Sequence, residues 1–136
     1  MKNIKTPPTI TLPPPPPLSL SDTPLLSPDD LAARLASLPA WTAVDGGTAL
    51  QRTFKARTFA AAVAWFSAVA PVADALGHHP DLALANWNVV TVRVTTHAAG
   101  GVTLADVALA ARLDAVPCEY SPKWLRESGF GGGGGE

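Results

Sequence analysis

A chain of 136 residues, 47% hydrophobic and 15% charged, has apolar surface for one core and little length for a second domain. Ten Lys and Arg against eleven Asp and Glu leave a formal net charge of -1, which speaks against a nucleic-acid binder or a basic membrane-surface helix. No uninterrupted apolar run spans a bilayer, so a soluble protein is expected, and a single cysteine, Cys118, excludes an intramolecular disulfide and a multi-thiolate metal site.

Residues 1–26 read as a tail, because Pro7, Pro8 and the run Pro13 to Pro17 favour extended polyproline over helix or sheet. A disordered linker is the first reading. A targeting segment is the alternative, since Lys2 and Lys5 accompany many Ser and Thr with no acid before Asp22, although arginine and an amphipathic pattern are missing. The compartment is therefore open: cytoplasm, or mitochondrion or plastid if the tail is a transit peptide. The folded unit is expected over 27–125, and 126–136, with Gly131 to Gly135, as a flexible tail.

Ser27 as cap, Pro28 at the first position and Asp29 and Asp30 in the first turn predict a helix, with Leu31, Leu35 and Leu38 on one face and Pro39 as its stop. Strands are expected at Trp41–Val44 and Ala49–Phe54, joined by an Asp45-Gly46-Gly47 hairpin turn. Phe59, Val63, Phe66 and Val69 keep helical spacing between Thr58 and Leu76, and Gly77 ends that helix. Pro71 inside it predicts a kink or local break, since an interior proline costs roughly 3 kcal/mol. A short strand over Asp81–Leu84 precedes the clearest one, Trp87–Thr96, where Val90, Val92 and Val94 alternate with polar residues. After a turn at Gly100-Gly101, Thr103 caps a last helix that carries Leu104, Val107, Ala108 and Ala111 on one face. The order α-β-β-α-β-β-α predicts an α+β fold, an antiparallel four-stranded sheet with three helices packed on it.

The chain's three histidines all fall at element ends: His78 and His79 close the long helix, and His97 closes the clearest strand. Asp74 lies four residues before His78 and would share its face in a continuing helix. Imidazoles titrate near neutral pH, so two or three in one pocket supply a proton donor and a proton acceptor, and a carboxylate orients one of them. The bland readings are helix caps or surface residues. Zinc is a further competitor, but adjacent histidines rarely share an ion and no helical His-x-x-x-His pair is present. Asp106 has its own bland reading, a capping partner of Thr103. Trp41 and Trp87 read equally well as core residues, and Cys118 as an inert buried thiol.

The segments Gly77-His78-His79-Pro80-Asp81, Asn86-Trp87-Asn88, Thr95-Thr96-His97 and Gly101-Val102-Thr103-Leu104-Ala105-Asp106 resemble the pterin-4a-carbinolamine dehydratases. The resemblance runs from Ser27 to about Val116 and includes Trp41 and Arg52 to Phe66. Departures are Asp74 where many members carry Glu, Trp87 where Tyr is common, and Pro71 in the long helix. The resemblance implies dehydration of a 4a-hydroxytetrahydropterin to a quinonoid dihydropterin, in recycling of a tetrahydrobiopterin-type cofactor. It implies His78, His79, His97 and Asp74 as catalytic residues, with His78 and His97 as acid and base in an order the sequence leaves open. Gly77, Thr95, Thr96, Ala98, Trp41, Trp87 and Asp106 would surround the pterin. No cofactor or metal is expected. The implied partners are the small-molecule pterin and further copies of the chain, in a homodimer or homotetramer joined by sheet edges and long helices, with no nucleic acid and no membrane. The alternative is a non-catalytic protein-binding or assembly module on the same fold, which the Pro-rich tail keeps open as a docking ligand.

Overall fold

Alternation of valines with polar residues builds the strand at the centre of the sheet. A computed structural model describes residues 24–129, so most of the Pro-rich tail and the glycine run lie outside the described residues. Strand β4 (Val89–Val94) pairs on one side with β2 (Ala49–Lys55) and on the other with β3 (Asp81–Ala85), while β1 (Thr42–Val44) pairs with the outer side of β2. The sheet order is β1-β2-β4-β3 and every pairing is antiparallel. In the β2–β4 register Leu50 faces Val94, Arg52 faces Val92 and Phe54 faces Val90, and these six are the buried positions. Thr53 and Lys55, one position out of phase, are exposed. The β1–β2 turn is the expected one, with Asp45, Gly46 and Gly47 all at positive φ.

Four α-helices among the described residues complete the α+β fold: α1 (Pro28–Leu35), α2 (Phe59–Leu76), α3 (Leu104–Asp114) and α4 (Pro122–Ser128). Ser27 caps α1 by accepting the Asp30 N–H at 3.1 Å, and Thr58 caps α2 by accepting that of Ala61 at 3.0 Å. Helix α2 runs through Pro71 without interruption, where a kink or break was expected. Its 18 residues have a mean hydropathy of 1.6, long and apolar enough by length and composition to cross a membrane; the sequence expectation concerned unbroken apolar runs, and Ser67 and Asp74 interrupt this one. In this fold α2 lays a seam of Ala62, Trp65, Val69 and Ala73 into the core.

Two expected helix faces are corrected. Phe59 and Val63 of α2 are 57% and 43% exposed, and Leu104 of α3 is 40% exposed, while Ala105, Leu109, Ala110 and Leu113 form the buried side of α3. Both helices are apolar around most of their circumference, so spacing alone does not choose which stripe meets the sheet.

Helix α4 was not expected, although Ser121-Pro122 repeats the cap-and-proline start of α1, with Ser121 accepting the Trp124 N–H at 3.2 Å. The chain before it pairs with the end of β2: Arg57 N–H donates to the Glu119 carbonyl at 2.8 Å and Ser121 N–H to that of Lys55 at 2.9 Å. Tyr120 and Trp124 then pack on Phe54, at ring distances of 5.2 and 6.4 Å. Beneath them the buried Arg52 donates to Asp114 at 3.0 Å and to the Tyr120 hydroxyl at 2.7 Å, with its guanidinium 4.6 Å from the Phe54 ring centre. At the other end Leu26 N–H donates to the Val102 carbonyl at 3.0 Å. Ordered structure therefore reaches back to Leu26 on one side and, with α4, on to Ser128 on the other, beyond 27–125.

Candidate active site

Helix α2 ends because Gly77 adopts φ 72°, a left-handed conformation that glycine reaches without Cβ strain, and donates its N–H to the Ala73 and Asp74 carbonyls. That reversal separates the two adjacent histidines. His78 turns inward and is 4% exposed, whereas His79 stays on the surface. Asp74 consequently meets His79, not His78: His79 Nε2 lies 2.8 Å from Asp74 Oδ1, with both side chains well exposed. The face-sharing expected of Asp74 and His78 needed the helix to continue, and the left-handed glycine stops it.

The inward ring meets a carboxylate 28 residues further along the chain. His78 Nε2 lies 2.5 Å from Oδ1 of Asp106, which is fully buried. Oδ2 of the same carboxylate accepts from Thr96 Oγ1 at 2.7 Å and from the Thr103 N–H at 2.9 Å. The hydroxyls of Thr96 and Thr103 are 2.9 Å apart, and Thr103 Oγ1 accepts the Ala105 N–H at 3.1 Å. An ionised carboxylate only accepts, so all three partners donate and the Nε2 of His78 carries a proton. Thr96 spends its hydroxyl proton on Asp106, so the Thr103 hydroxyl donates to Thr96. Every proton in this buried chain has one destination, and Nδ1 of His78 has no hydrogen-bond partner among the described residues. The capping role and the site role of Asp106 are therefore the same geometry: Thr103 and Asp106 form a capping box at the start of α3, and the box's free carboxylate oxygen holds the histidine.

Asp106 also brings in the end of β4. Thr96 shares its carboxylate with His78, and His97 is the next residue, so the third imidazole begins one peptide unit from that junction. His97 opens a single 3-10 turn over His97–Ala99, is exposed, and its ring makes no hydrogen bond among the described residues.

The remaining predicted residues divide. Thr95, beside this corner, donates its hydroxyl to the Thr48 carbonyl at 2.6 Å and ties the strand end to the β1–β2 turn. Ala98 is exposed next to His97, and Gly77 shapes the turn that separates the two adjacent histidines. Thr96 is fully buried and its backbone is engaged, N–H to Gly101 and carbonyl to Ala99 and Gly100, so it positions the site without facing a ligand. Trp41 is 4% exposed and donates Nε1–H to Asp114 at 2.9 Å, two turns along α3 from Asp106 and about 12 Å away by helical rise. Trp87 sits at the β3–β4 turn, the end of the hairpin opposite the histidines, about 17 Å off by strand rise. Neither tryptophan is brought to the histidines. Two surface recesses, of about 540 and 420 Å³, have no histidine in their lining, and of the predicted residues only Trp87 lines one, the smaller. Sequence reasoning missed the roles of Thr96 and Thr103 as hydroxyl relays; the Thr103–Asp106 spacing was the available signal. Cys118 is half-buried, and burial pushes its thiol pKa up, in accord with an unreactive residue.

Residues 24–116 match the family model described as pterin 4 alpha carbinolamine dehydratase. A protein of Thermosynechococcus vestitus, named provisionally as such a dehydratase, is 45% identical over 85 residues, covering 62% of this chain and 86% of the relative. One from Nocardia farcinica, named the same way, is 42% identical over 92 residues, covering 68% of this chain and 94% of the relative. A solved structure from Brucella melitensis, described as a transcriptional coactivator/pterin dehydratase, superposes with a TM-score of 0.63 at 34% identity, covering 67% of this chain and 96% of that one. With a matching family model over most of its folded length and relatives covered almost end to end, this chain belongs to the pterin-4a-carbinolamine dehydratase family.

Proposed function

We propose that this protein dehydrates a 4a-hydroxytetrahydropterin to the quinonoid dihydropterin by histidine general acid–base catalysis. The observation that carries the proposal is the single buried carboxylate of Asp106, whose two oxygens hold His78 and the residue preceding His97. Loss of the 4a hydroxyl needs a proton delivered to the departing oxygen, while a ring N–H gives up its proton as the new double bond forms. Two imidazoles can do both, and each such group typically contributes about 100- to 10,000-fold. His78, fixed by Asp106, presents Nδ1 as one partner. His97, exposed and unrestrained, is the other. His79, oriented by Asp74, is assigned to the pterin edge, and the exposed Ala98 segment offers backbone polar groups to it. Water is the only product besides the dihydropterin, so the chemistry balances with no oxidant or cofactor.

The oligomer is part of the same proposal. Helix α2 is strongly apolar yet leaves Phe59 and Val63 in solvent, a face that further copies of this chain would cover. The test is stopped-flow dehydration of a synthetic 4a-hydroxytetrahydropterin with the parent, His78→Ala and His97→Ala. Loss of turnover in both variants with unchanged circular dichroism is expected. Parental rates in both would remove the assignment and leave the assembly-module reading in its place.

A further inference from the structure

The recess of about 420 Å³ lies between the β3–β4 turn and α4, at the end of the hairpin away from the histidines. Its lining includes Lys55, Trp87, Asn88, Lys123 and Glu127. Three groups there, an indole, an amide oxygen and an ammonium, have no partner among the described residues. Trp87 is 60% exposed and, with Asn86, sits in the left-handed region at φ 61°, where a bulky side chain is strained. Its indole joins none of the ring stacks that hold Phe54, Trp65, Tyr120 and Trp124 together. Asn88 is 8% exposed and donates Nδ2–H to the Ala56 carbonyl at 2.9 Å, which fixes the amide orientation and leaves Oδ1 without a partner among the described residues. The Lys55 ammonium is likewise unpaired among the described residues, whereas Lys123 lies 3.9 Å from Glu127 on α4.

We propose that this recess is a second ligand site, for a flat nitrogen heterocycle that carries one anionic group. The exposed indole supplies a face for stacking. The unsatisfied Asn88 Oδ1 accepts a ring or exocyclic N–H, and a buried acceptor with no partner gains more from such a bond than an exposed one. Lys55 meets the anion. The volume falls within the range of small-molecule sites, at about 300–1,000 Å³. A purine nucleoside monophosphate and a carboxylated pterin share this chemistry, and the assay distinguishes them.

The full chain is titrated with GMP, guanosine and pterin-6-carboxylate while the Trp87 indole N–H and the Asn88 side-chain amide are followed by heteronuclear NMR. Saturable shifts of both signals are expected with GMP or with pterin-6-carboxylate, and the tighter of the two identifies the source. Guanosine, without the anion, should bind at least about tenfold more weakly than GMP, and Lys55→Ala should weaken the anionic ligand to the same degree. His97→Ala should bind as the parent does. Trp87→Asn should lose the ligand and melt no lower than the parent, because asparagine tolerates the left-handed conformation. No saturable shift with either anionic probe overturns the proposal. So does equal binding in Lys55→Ala, loss of binding in His97→Ala, or a Trp87→Asn variant that melts lower, which would make the indole a structural residue.

Discussion

Replacing Asp106 with Asn changes one heavy atom and reverses the proton order of the link to His78. Two donors, the Thr96 hydroxyl and the Thr103 N–H, converge on Oδ2, so the amide must place its only oxygen there. Its NH₂ then faces His78 Nε2, which donates in the parent and would have to accept in the variant. The imidazole is driven to the opposite tautomer, with the proton on Nδ1, and its cationic form loses the carboxylate at 2.5 Å. Shape and capping survive, so the stability loss should be about 1.5–3 kcal/mol, the value of hydrogen bonds to a charged group. Turnover should fall by about 100-fold or more, the scale of one misassigned acid–base group. Asp106→Ala, which strands three donors, should cost about 3–5 kcal/mol by analogy with breaking a buried pair. Urea unfolding gives the stability, stopped-flow dehydration the rate, and histidine nitrogen shifts the tautomer. An Asp106→Asn enzyme with parental turnover and the tautomer moved would refute the idea that His78 works through Nδ1.

Other consequences are independent of that one. Gly77→Ala forces a Cβ into φ 72° and should destabilise by about 1–2 kcal/mol in thermal melts, with activity falling further because His78 no longer turns inward. Pro71→Ala restores a donor inside α2 and should raise stability, by at most about 3 kcal/mol, provided the fold gains nothing else from the ring. Arg52→Ala should cost about 2–3 kcal/mol by chemical unfolding, since it strips charged hydrogen bonds from Asp114 and Tyr120 and loosens the segment leading to α4. Cys118 should resist a disulfide reagent at neutral pH and react only as pH rises past the ordinary thiol range. The unfolded thiol ionises first, so its contribution to stability is complete at neutral pH and is lost as pH climbs through the raised folded value.

The fold was legible where local chemistry and period agree. Ser27-Pro28, Thr58, Gly77 and the Thr103 cap marked helix ends, and the Val90-Val92-Val94 alternation marked the strand that the sheet is built around. What escaped was tertiary. Which stripe of a mostly apolar helix meets the sheet is decided by its neighbours, which is why Phe59, Val63 and Leu104, read by spacing onto apolar faces, stand in solvent. Helix α4 escaped because a seven-residue helix has almost no period to read, and its stability comes from Phe54 and Arg52, both remote in sequence. In the candidate site the residue types were legible and the pairings were not: spacing of four suggested Asp74 with His78, whereas a left-handed glycine gave Asp74 to His79 and Asp106 to His78.

That exchange of partners has a mechanistic consequence. A carboxylate on the surface, as at Asp74, is solvated and adds little, about 0–1 kcal/mol for an exposed pair. A carboxylate with no exposed surface and three donors is rigid, and its field on the attached imidazole is screened by protein instead of water. The domain places that rigid group where it already needs an acceptor, at the first turn of α3. Orienting the imidazole thus requires no further buried charge beyond the one that starts the helix. The same economy couples the two properties: a substitution at Asp106, Thr96 or Thr103 that disturbs the proton order should lower turnover and stability together, while one at His97, which supports no element, should lower turnover alone.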